Sequence, residues 1–205
     1  MAIETHEWNE NSDHIVLFMD IMGFKDRVTR MGHKELLEKM IEFKEKNDRL
    51  KPLLQDKNGE LLRMVQFSDS IIIASLDDSK SALNKIVKAG VVLMQNALET
   101  GFALKGAIAK GPLTFDSDSG IYFGRSIVDA YLLEEELKFY GVVFHHSVEE
   151  LIQQYKDNPP IRGKREQKIP VSEYQIHLKL FSRTVSGSPK IYIDNTLDFI
   201  KNANG

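Results

Sequence analysis

HIVLFMDIMGF, residues 14–24, is an apolar run in which Asp20 is the only acidic residue. A second run, RMVQFSDSIIIAS at residues 63–75, also carries one acidic residue, Asp69. Both runs are too continuously apolar for an exposed edge, and we expect them to form buried central strands. If these strands are neighbours, Asp20 leaves the end of one where Asp69 enters the turn of the other.

Two carboxylates brought together at a strand end have a chemical consequence. Such like charges repel unless a divalent cation lies between them, and an ionised carboxylate in an apolar core is costly unless it is paired or binds a metal. Oxygen ligands suit Mg²⁺ or Mn²⁺, and Mg²⁺ is typically shared with substrate phosphates. The residues alone also allow a plainer interpretation, that Asp20 and Asp69 are solvated or helix-capping aspartates following two strands.

The first half of the chain predicts the order strand, helix, two hairpin strands, helix, strand. These six elements are expected at residues 14–21, 33–50, 61–67, 70–75, 78–100 and 102–113. The order is that of a ferredoxin-like (βαββαβ) α+β sandwich, in which the first and third strands are neighbours at the sheet centre. This order is predicted without using Asp20 or Asp69, so it supports the metal interpretation independently.

The second half predicts additional elements that end in further strands and a helix. They are a turn-rich loop over 114–120, a helix over 124–139, a strand over 142–144, a helix from the Ser147 cap to Tyr155, a basic loop over 157–168, strands over 174–181 and 190–193, and a C-terminal helix ending near Lys201. We expect a flexible N-terminus over residues 1–13 and a single domain over residues 14–205.

The composition favours a soluble globular protein and excludes several classes of site. The 205 residues are 42% hydrophobic and 28% charged, and the net charge of −3 argues against a general nucleic-acid binder. The absence of cysteine excludes disulfides, thiol chemistry and cysteine-ligated zinc. No apolar run reaches the roughly 20 residues that span a bilayer, and the polar start is no signal peptide, so we expect a cytoplasmic protein without a membrane association.

Four motifs, in order and in spacing, resemble the catalytic domain of the class III nucleotidyl (adenylate/guanylate) cyclases. They are DIMGF at 20–24, FSDS at 67–70, KGAIAKG at 105–111 and GRSIVDAYLLE at 124–134. They are similar to the family's D-[IVM]-x-G-F motif, its hairpin with a second metal aspartate, its R-x-G-I-x-x-G strand and its G-x-x-V-N-x-A-x-R-x-E helix. The resemblance extends from about His14 to Leu137.

Departures from the family pattern concern the residues that act on substrate. Val128 stands where the family has an asparagine, and Leu132 where it has a transition-state arginine. Arg63 falls where adenylate cyclases carry a base-reading lysine, and Ile121 where they carry a base-reading aspartate. A hydrophobic side chain cannot hydrogen-bond to the adenine amino group, which implies that the groups that recognise a purine base are missing.

The compact single-domain chain, the FSDS hairpin and the KGAI strand are most similar to the pyrimidine (uridylate/cytidylate) cyclases of bacterial Pycsar antiphage defence. Those enzymes make cyclic UMP or cyclic CMP, a second messenger that activates a partner effector. The resemblance therefore implies UTP, in preference to CTP, as substrate. Three alternatives stay open: a purine (ATP/GTP) cyclase, a catalytically inactive nucleotide-binding regulatory homologue, and a metal nuclease or polymerase palm domain.

The resemblance also implies the parts of the site. The protein would be a head-to-tail homodimer with active sites at the interface and two Mg²⁺ or Mn²⁺ ions per site, held by Asp20, Asp69 and the carbonyl of Ile21. Asp20 and Asp69 would thereby be catalytic, and the N–H groups of Gly23 and Phe24 would hold the β- and γ-phosphates. Further candidates for substrate binding are Arg63, Lys105, Arg125, Tyr122, Tyr131 and the basic loop with Arg162, Lys164, Arg165 and Lys168.

Overall fold

The computed structural model describes residue 8 and residues 12–56, 59–157, 183–185 and 188–193. The strands are β1 Asp13–Ile21, β2 Gln55–Asp56, β3 Gly59–Glu60, β4 Leu62–Phe67, β5 Ser70–Ser75, β6 Leu104–Asp116, β7 Ile121–Gly124, β8 Gly141–Phe144, β9 Arg183–Val185 and β10 Ser188–Ile193. The α-helices are α1 Phe24–Arg30, α2 His33–Lys46, α3 Lys51–Leu54, α4 Lys80–Glu99, α5 Arg125–Glu135 and α6 Glu149–Asp157, and short 3-10 helices lie at Asn47–Leu50 and His146–Val148.

The sheet has the strand order that the sequence predicts for its first half. Its order is β4-β5-β1-β6-β8-β10-β9, and β7 pairs with β6. The described strand pairs are antiparallel except β6 with β8, which is parallel. Strand β1 lies between β5 and β6, as a ferredoxin-like arrangement requires. The predicted α+β fold class and the central placement of β1 are confirmed.

The two faces of the sheet carry different helices because side chains alternate along each strand. One face packs against α2, α4 and α6 through apolar residues that include Ile15, Leu17, Met19, Ile71 and Ile73. The other face packs against α5 through residues that include Phe18, Ala107, Ala109, Ala130 and Leu133. Since Asp20 follows Phe18 by two residues on the same strand, its side chain belongs to the α5 face.

Helix α4 follows the N-terminal signal in the sequence. The hydroxyl oxygen of Ser79 accepts a hydrogen bond from the backbone N–H of Ala82, which satisfies one of the free donors of the first turn. The predicted helix over 78–100 is thus confirmed with a start two residues later. No helix of the described residues is long and apolar enough to cross a membrane.

Three predictions for the second half were wrong in their bounds. Strand β6 continues to Asp116, where a loop was expected, because Thr114, Phe115 and Asp116 pair with β7. Helix α5 ends at Glu135, well before Phe139, in a tight turn in which the Leu137 N–H donates to the Glu134 carbonyl. Ser147 lies in a 3-10 turn before α6, and its hydroxyl accepts from the Lys110 N–H instead of capping the helix.

The C-terminal predictions are only partly covered by the described residues. The strand predicted over 190–193 is confirmed as part of β10, which pairs with β8 and with β9. Strand β9 was not predicted. The basic loop over 157–168, apart from Asp157 at the end of α6, lies outside the described residues, as do the strand over 174–181 and the C-terminal helix.

Candidate active site

Asp20 lies at the end of the central strand, opposite a polar residue on each neighbouring strand. In the sheet register it is paired with Ser70 of β5 on one side and with Lys105 of β6 on the other. The Ser70 hydroxyl donates a hydrogen bond to Asp20 Oδ1 at 3.1 Å. The carboxylate is only half-buried, so it can reach a ligand above the α5 face while Ser70 fixes its orientation.

Asp69 reaches the same place from the hairpin between β4 and β5. Ser68 and Asp69 form a two-residue turn, in which Ser68 has the uncommon φ of 55°. The Ile21 N–H donates to the Asp69 carbonyl oxygen at 3.2 Å, which ties the turn to the end of β1. The structure therefore brings together Asp20, Ile21 and Asp69, the three residues predicted to bind metal.

The electrostatics of Asp20 show the effect of the neighbouring Asp69 carboxylate. The pKa of Asp20 is raised from its ordinary value of 3.8 to about 6, mainly by burial and also by the negative charges of Asp69 and Glu134. The Ser70 hydrogen bond and the Lys105 charge oppose that shift but do not cancel it. A site that disfavours a second negative charge, and that offers carboxylate and carbonyl oxygens, fits a hard divalent cation.

Within the described residues, no group of three or more histidine or acidic side chains is placed to hold a metal ion. The predicted donor set stays the two carboxylates and the backbone carbonyl of Ile21. Such a small set suits a cation that takes its remaining ligands from water and from substrate phosphates, as Mg²⁺ commonly does.

The raised pKa makes a prediction about stability. Between about pH 4 and pH 6 the unfolded chain ionises Asp20 while the folded chain still holds the proton, so stability from this group falls as pH rises through that window. Without divalent cations, Asp20→Asn is expected to raise the melting temperature at pH 7.5 and to leave it unchanged at pH 3.5. Thermal unfolding in EDTA measures this. Asp118→Asn, in an exposed turn, is the control, and an equal gain at both pH values would contradict the argument.

Lys105 is held beside Asp20 by a buried ion pair. Its Nζ lies 2.8 Å from Glu134 Oε1 and donates to the Glu134 carbonyl oxygen at 3.1 Å. The Lys105 side chain is 16% exposed and that of Glu134 is 4% exposed, so the ion pair holds the ammonium in one position. The predicted substrate-binding lysine therefore lies in the same cross-strand row as Asp20.

Gly23 and Phe24 leave the end of β1 in the conformation that the glycine makes possible. Gly23 has φ 70° and precedes the first residue of α1, and its carbonyl accepts from the Arg27 N–H. A residue with a Cβ is strained at that φ although the space around the glycine is open. The role of the Gly23 and Phe24 N–H groups in phosphate binding stays a prediction.

Arg63 is on the α5 face but far from the two carboxylates. It pairs with Ala74, which pairs with Val16, so Arg63 lies two strand spacings from β1 and four residues along the sheet from Asp20, about 16 Å away between Cα atoms. Its guanidinium bonds to Glu60 at 2.7 Å and to the Phe115 carbonyl at 2.7 Å. The same group lies 4.5 Å from the ring centre of Trp8, a cation–π contact.

The aromatic candidates and Arg125 also have partners within the fold. Tyr122 packs edge-on against Phe115, with ring centres 4.7 Å apart, and Tyr131 packs edge-on against Phe18 at 5.5 Å. Arg125 Nε lies 2.7 Å from Asp129 Oδ1 one turn along α5, and this hydrogen bond raises the pKa of the guanidinium. Substrate binding by Tyr122, Tyr131 and Arg125 stays a prediction.

Sequence reasoning missed two residues of this site, Ser70 and Glu134. Ser70 was quoted as part of FSDS, but its role follows only from the pairing of β5 with β1. Glu134 was quoted as the last residue of the α5 motif. Its burial next to a lysine could have been suspected from one signal, an acidic residue one helical turn after the buried Ala130.

No family model matches the sequence, and the search of curated proteins returns no match. Solved structures do match. The catalytic core of a rhodopsin-guanylyl cyclase with converted specificity, in complex with ATPαS, has a TM-score of 0.56 at 14% identity, over 88% of this chain and 92% of that one.

Two further structures support the same fold. The guanylate cyclase domain of RhGC from Catenaria anguillulae, in complex with GTP, has a TM-score of 0.54 at 13% identity, over 88% of this chain and 94% of that one. A non-canonical dimeric guanylyl cyclase domain of the RhoGC fusion protein from Blastocladiella emersonii has a TM-score of 0.55 at 16% identity, over 70% of this chain and 84% of that one. The chain has the fold of the class III nucleotidyl cyclase catalytic domains.

Proposed function

We propose that this protein is a pyrimidine nucleotide cyclase, which converts UTP, in preference to CTP, into the 3′,5′-cyclic monophosphate and pyrophosphate. The observation that carries the proposal is the pair Asp20 and Asp69, held together by the β1 end and the β4–β5 turn in a cyclase fold. The raised pKa of Asp20 supports it, since a carboxylate in such a position is best stabilised by a cation.

In the proposed reaction the ribose 3′-oxygen forms a bond to the α-phosphorus of the same nucleotide. The bond between that phosphorus and the oxygen bridging to the β-phosphate breaks, pyrophosphate leaves, and the 3′-hydroxyl proton is lost to solvent. Asp20, Asp69 and the Ile21 carbonyl would hold Mg²⁺ or Mn²⁺, whose positive charge would make the hydroxyl more acidic and offset charge on the triphosphate.

The chain's own residues hold the substrate in this proposal. Lys105 provides a fixed ammonium in the Asp20 row, directed by Glu134, and can attract the triphosphate without having to be ordered on binding. The N–H groups of Gly23 and Phe24 are assigned to the β- and γ-phosphates. Arg125, whose side chain is 72% exposed, Tyr122 and Arg63 stay candidates for substrate contacts outside the Asp20 row.

The pyrimidine assignment draws on side chains that cannot hydrogen-bond. Ile121 is 49% exposed, and Val128 and Leu132 are 49% and 52% exposed on α5. All three stand where the resembling cyclases carry polar residues that contact purine substrates. The apolar Ile121, in place of a base-reading aspartate, favours a different base. The exposed apolar side chains at all three positions also suit burial by a second copy of the chain, the homodimer that a head-to-tail arrangement requires.

The cellular role follows from the product. A cyclic pyrimidine monophosphate acts as a second messenger only through a protein that binds it, so the proposal includes a cyclic-nucleotide-activated effector. We assign the cyclase and this effector to antiphage defence of the Pycsar type. The proposed location is the cytoplasm, where nucleoside triphosphates are available.

The test is incubation of the purified protein with Mn²⁺ and ATP, GTP, CTP or UTP separately, followed by mass analysis. A cyclic pyrimidine monophosphate that is absent with Asp69→Asn is the expected result. A cyclic purine product would overturn the pyrimidine assignment and keep the cyclase. If no cyclic product forms although nucleotide still binds, the assignment as an enzyme would be overturned in favour of a regulatory nucleotide-binding domain.

A further inference from the structure

Phe67, two residues before Asp69, is placed unusually for an aromatic residue. Its exposure of 84% is the highest among the large apolar side chains of the described part of the chain. It is the last residue of β4 and pairs with Ser70 across the two-residue turn. Exposing a phenyl ring to water is unfavourable, and at this exposure packing within the hairpin does not bury the ring.

Strand alternation determines the face on which Phe67 lies. Leu62 and Met64 of β4 pack into the core under α2 and α4. Arg63, Val65 and Phe67 therefore belong to the opposite face. Val65 packs with Val16 of β1 on that face, which is also the face of Asp20.

The register places Phe67 in the same cross-strand row as the candidate metal site. Phe67 pairs with Ser70, Ser70 with Asp20, and Asp20 with Lys105. Phe67 and Asp20 are thus two strand spacings apart, about 10 Å between Cα atoms. A ribose and its α-phosphate can bridge such a separation, so a nucleotide anchored at the carboxylates by its phosphates has its base within reach of the phenyl ring.

We propose that Phe67 is the stacking platform for the nucleobase of the substrate. The inference rests on the proposed function, because the triphosphate must be anchored at Asp20 and Asp69. Stacking uses the π-face that every base has and is therefore tolerant of base identity. Phe67 would set how tightly the base is held, while other groups would decide which base is accepted.

A ring that only stacks contributes equally to the bound substrate and to the transition state. Phe67→Ala is therefore expected to raise KM for the accepted nucleoside triphosphate about tenfold and to leave kcat within about twofold. Phe67→Tyr should behave like the wild type. Inorganic tripolyphosphate has no base, so its inhibition constant should not change in Phe67→Ala. Leu37→Ala, which truncates an exposed apolar residue on α2, is the matched control.

A binding measurement makes the test independent of turnover. The chain has one tryptophan, Trp8, so Phe67→Trp adds a second fluorophore at the proposed contact, and the wild-type signal can be subtracted. We expect UTP with Mg²⁺ to quench the added fluorescence and tripolyphosphate with Mg²⁺ to leave it unchanged.

The outcomes separate this inference from the proposed function. An unchanged KM for Phe67→Ala, or equal responses to UTP and tripolyphosphate, would overturn the base contact while cyclic product would keep the cyclase. Base-dependent quenching in a protein that makes no cyclic product would support the base contact and overturn the proposed cyclase activity. A shift of Phe67→Ala from dimer to monomer, measured by light scattering with unchanged nucleotide affinity, would assign the ring to a second copy of the chain and overturn the proposal.

Discussion

Asp69→Asn is expected to lower the rate of nucleotide cyclisation at least about a thousandfold. An asparagine keeps the shape of the side chain but removes one of the two negative charges proposed to hold the cations, and charge stabilisation by such cations contributes several kcal/mol. The fold should survive, because the contact that ties the turn to β1 uses the backbone carbonyl of Asp69 and not its carboxylate. Product formation per minute at saturating UTP and Mn²⁺ measures the effect.

Two controls make that result specific. Asp118→Asn removes a carboxylate from an exposed turn and should retain wild-type activity. Isothermal titration with Mn²⁺ should show weaker binding for Asp69→Asn than for Asp118→Asn. Activity of Asp69→Asn within about tenfold of the wild type would contradict the assignment of Asp69 as a metal ligand.

Gly106→Ala is expected to destabilise the protein by about 3 kcal/mol, the upper part of the range for overpacked interiors. A Cβ on Gly106 would lie 2.6 Å from the Phe18 carbonyl oxygen, 2.8 Å from Met19 Cγ and 3.3 Å from Met19 Cα. Two of these atoms are backbone atoms of the central strand and cannot rotate away, so β1 or β6 must shift. For a chain of this size the melting temperature should fall by about 6–12 °C.

A second glycine of the same strand provides the matched control. A Cβ on Gly111 would meet its nearest atom, the Ser126 nitrogen, at 3.5 Å, an ordinary contact. Gly111→Ala should therefore cost less than about 1 kcal/mol. Because Gly106 is next to Lys105 and pairs with Met19, Gly106→Ala should also lower activity at temperatures where it is still folded. Equal melting temperatures for the two variants would show that the sheet absorbs the extra methyl group.

The apolar runs made the centre of the fold predictable. Ile15 to Phe18 and Ile71 to Ile73 are continuous enough to indicate buried central strands, and the hairpin turn at Ser68 and Asp69 made β4 and β5 antiparallel neighbours. The helix after residue 78 was equally clear from its cap and periodicity. Each of these features depends on residues that are neighbours in the sequence, which is why it could be predicted from the sequence.

Features that depend on distant residues were not predictable. TFDSDSG at 114–120 has the composition of a turn, yet its first three residues are strand because β7 returns beside them. The pairing of Lys105 with Glu134 requires α5 to lie across β6, and the Trp8 contact with Arg63 requires the start of the chain to pack on β4. No local pattern carries such information.

The placement of the two carboxylates also predicts different hydrogen-exchange behaviour for their backbones. Strand β1 is bonded on both sides, so its amides near Asp20 should exchange only through global opening. Asp69 is on a turn next to β4, which has one strand neighbour in the described sheet and should open more often. One proposed ligand of the cation thus belongs to the slowest-exchanging unit and the other to a faster one. If the proposed cation binds there, opening of the hairpin alone would release it without loss of the core.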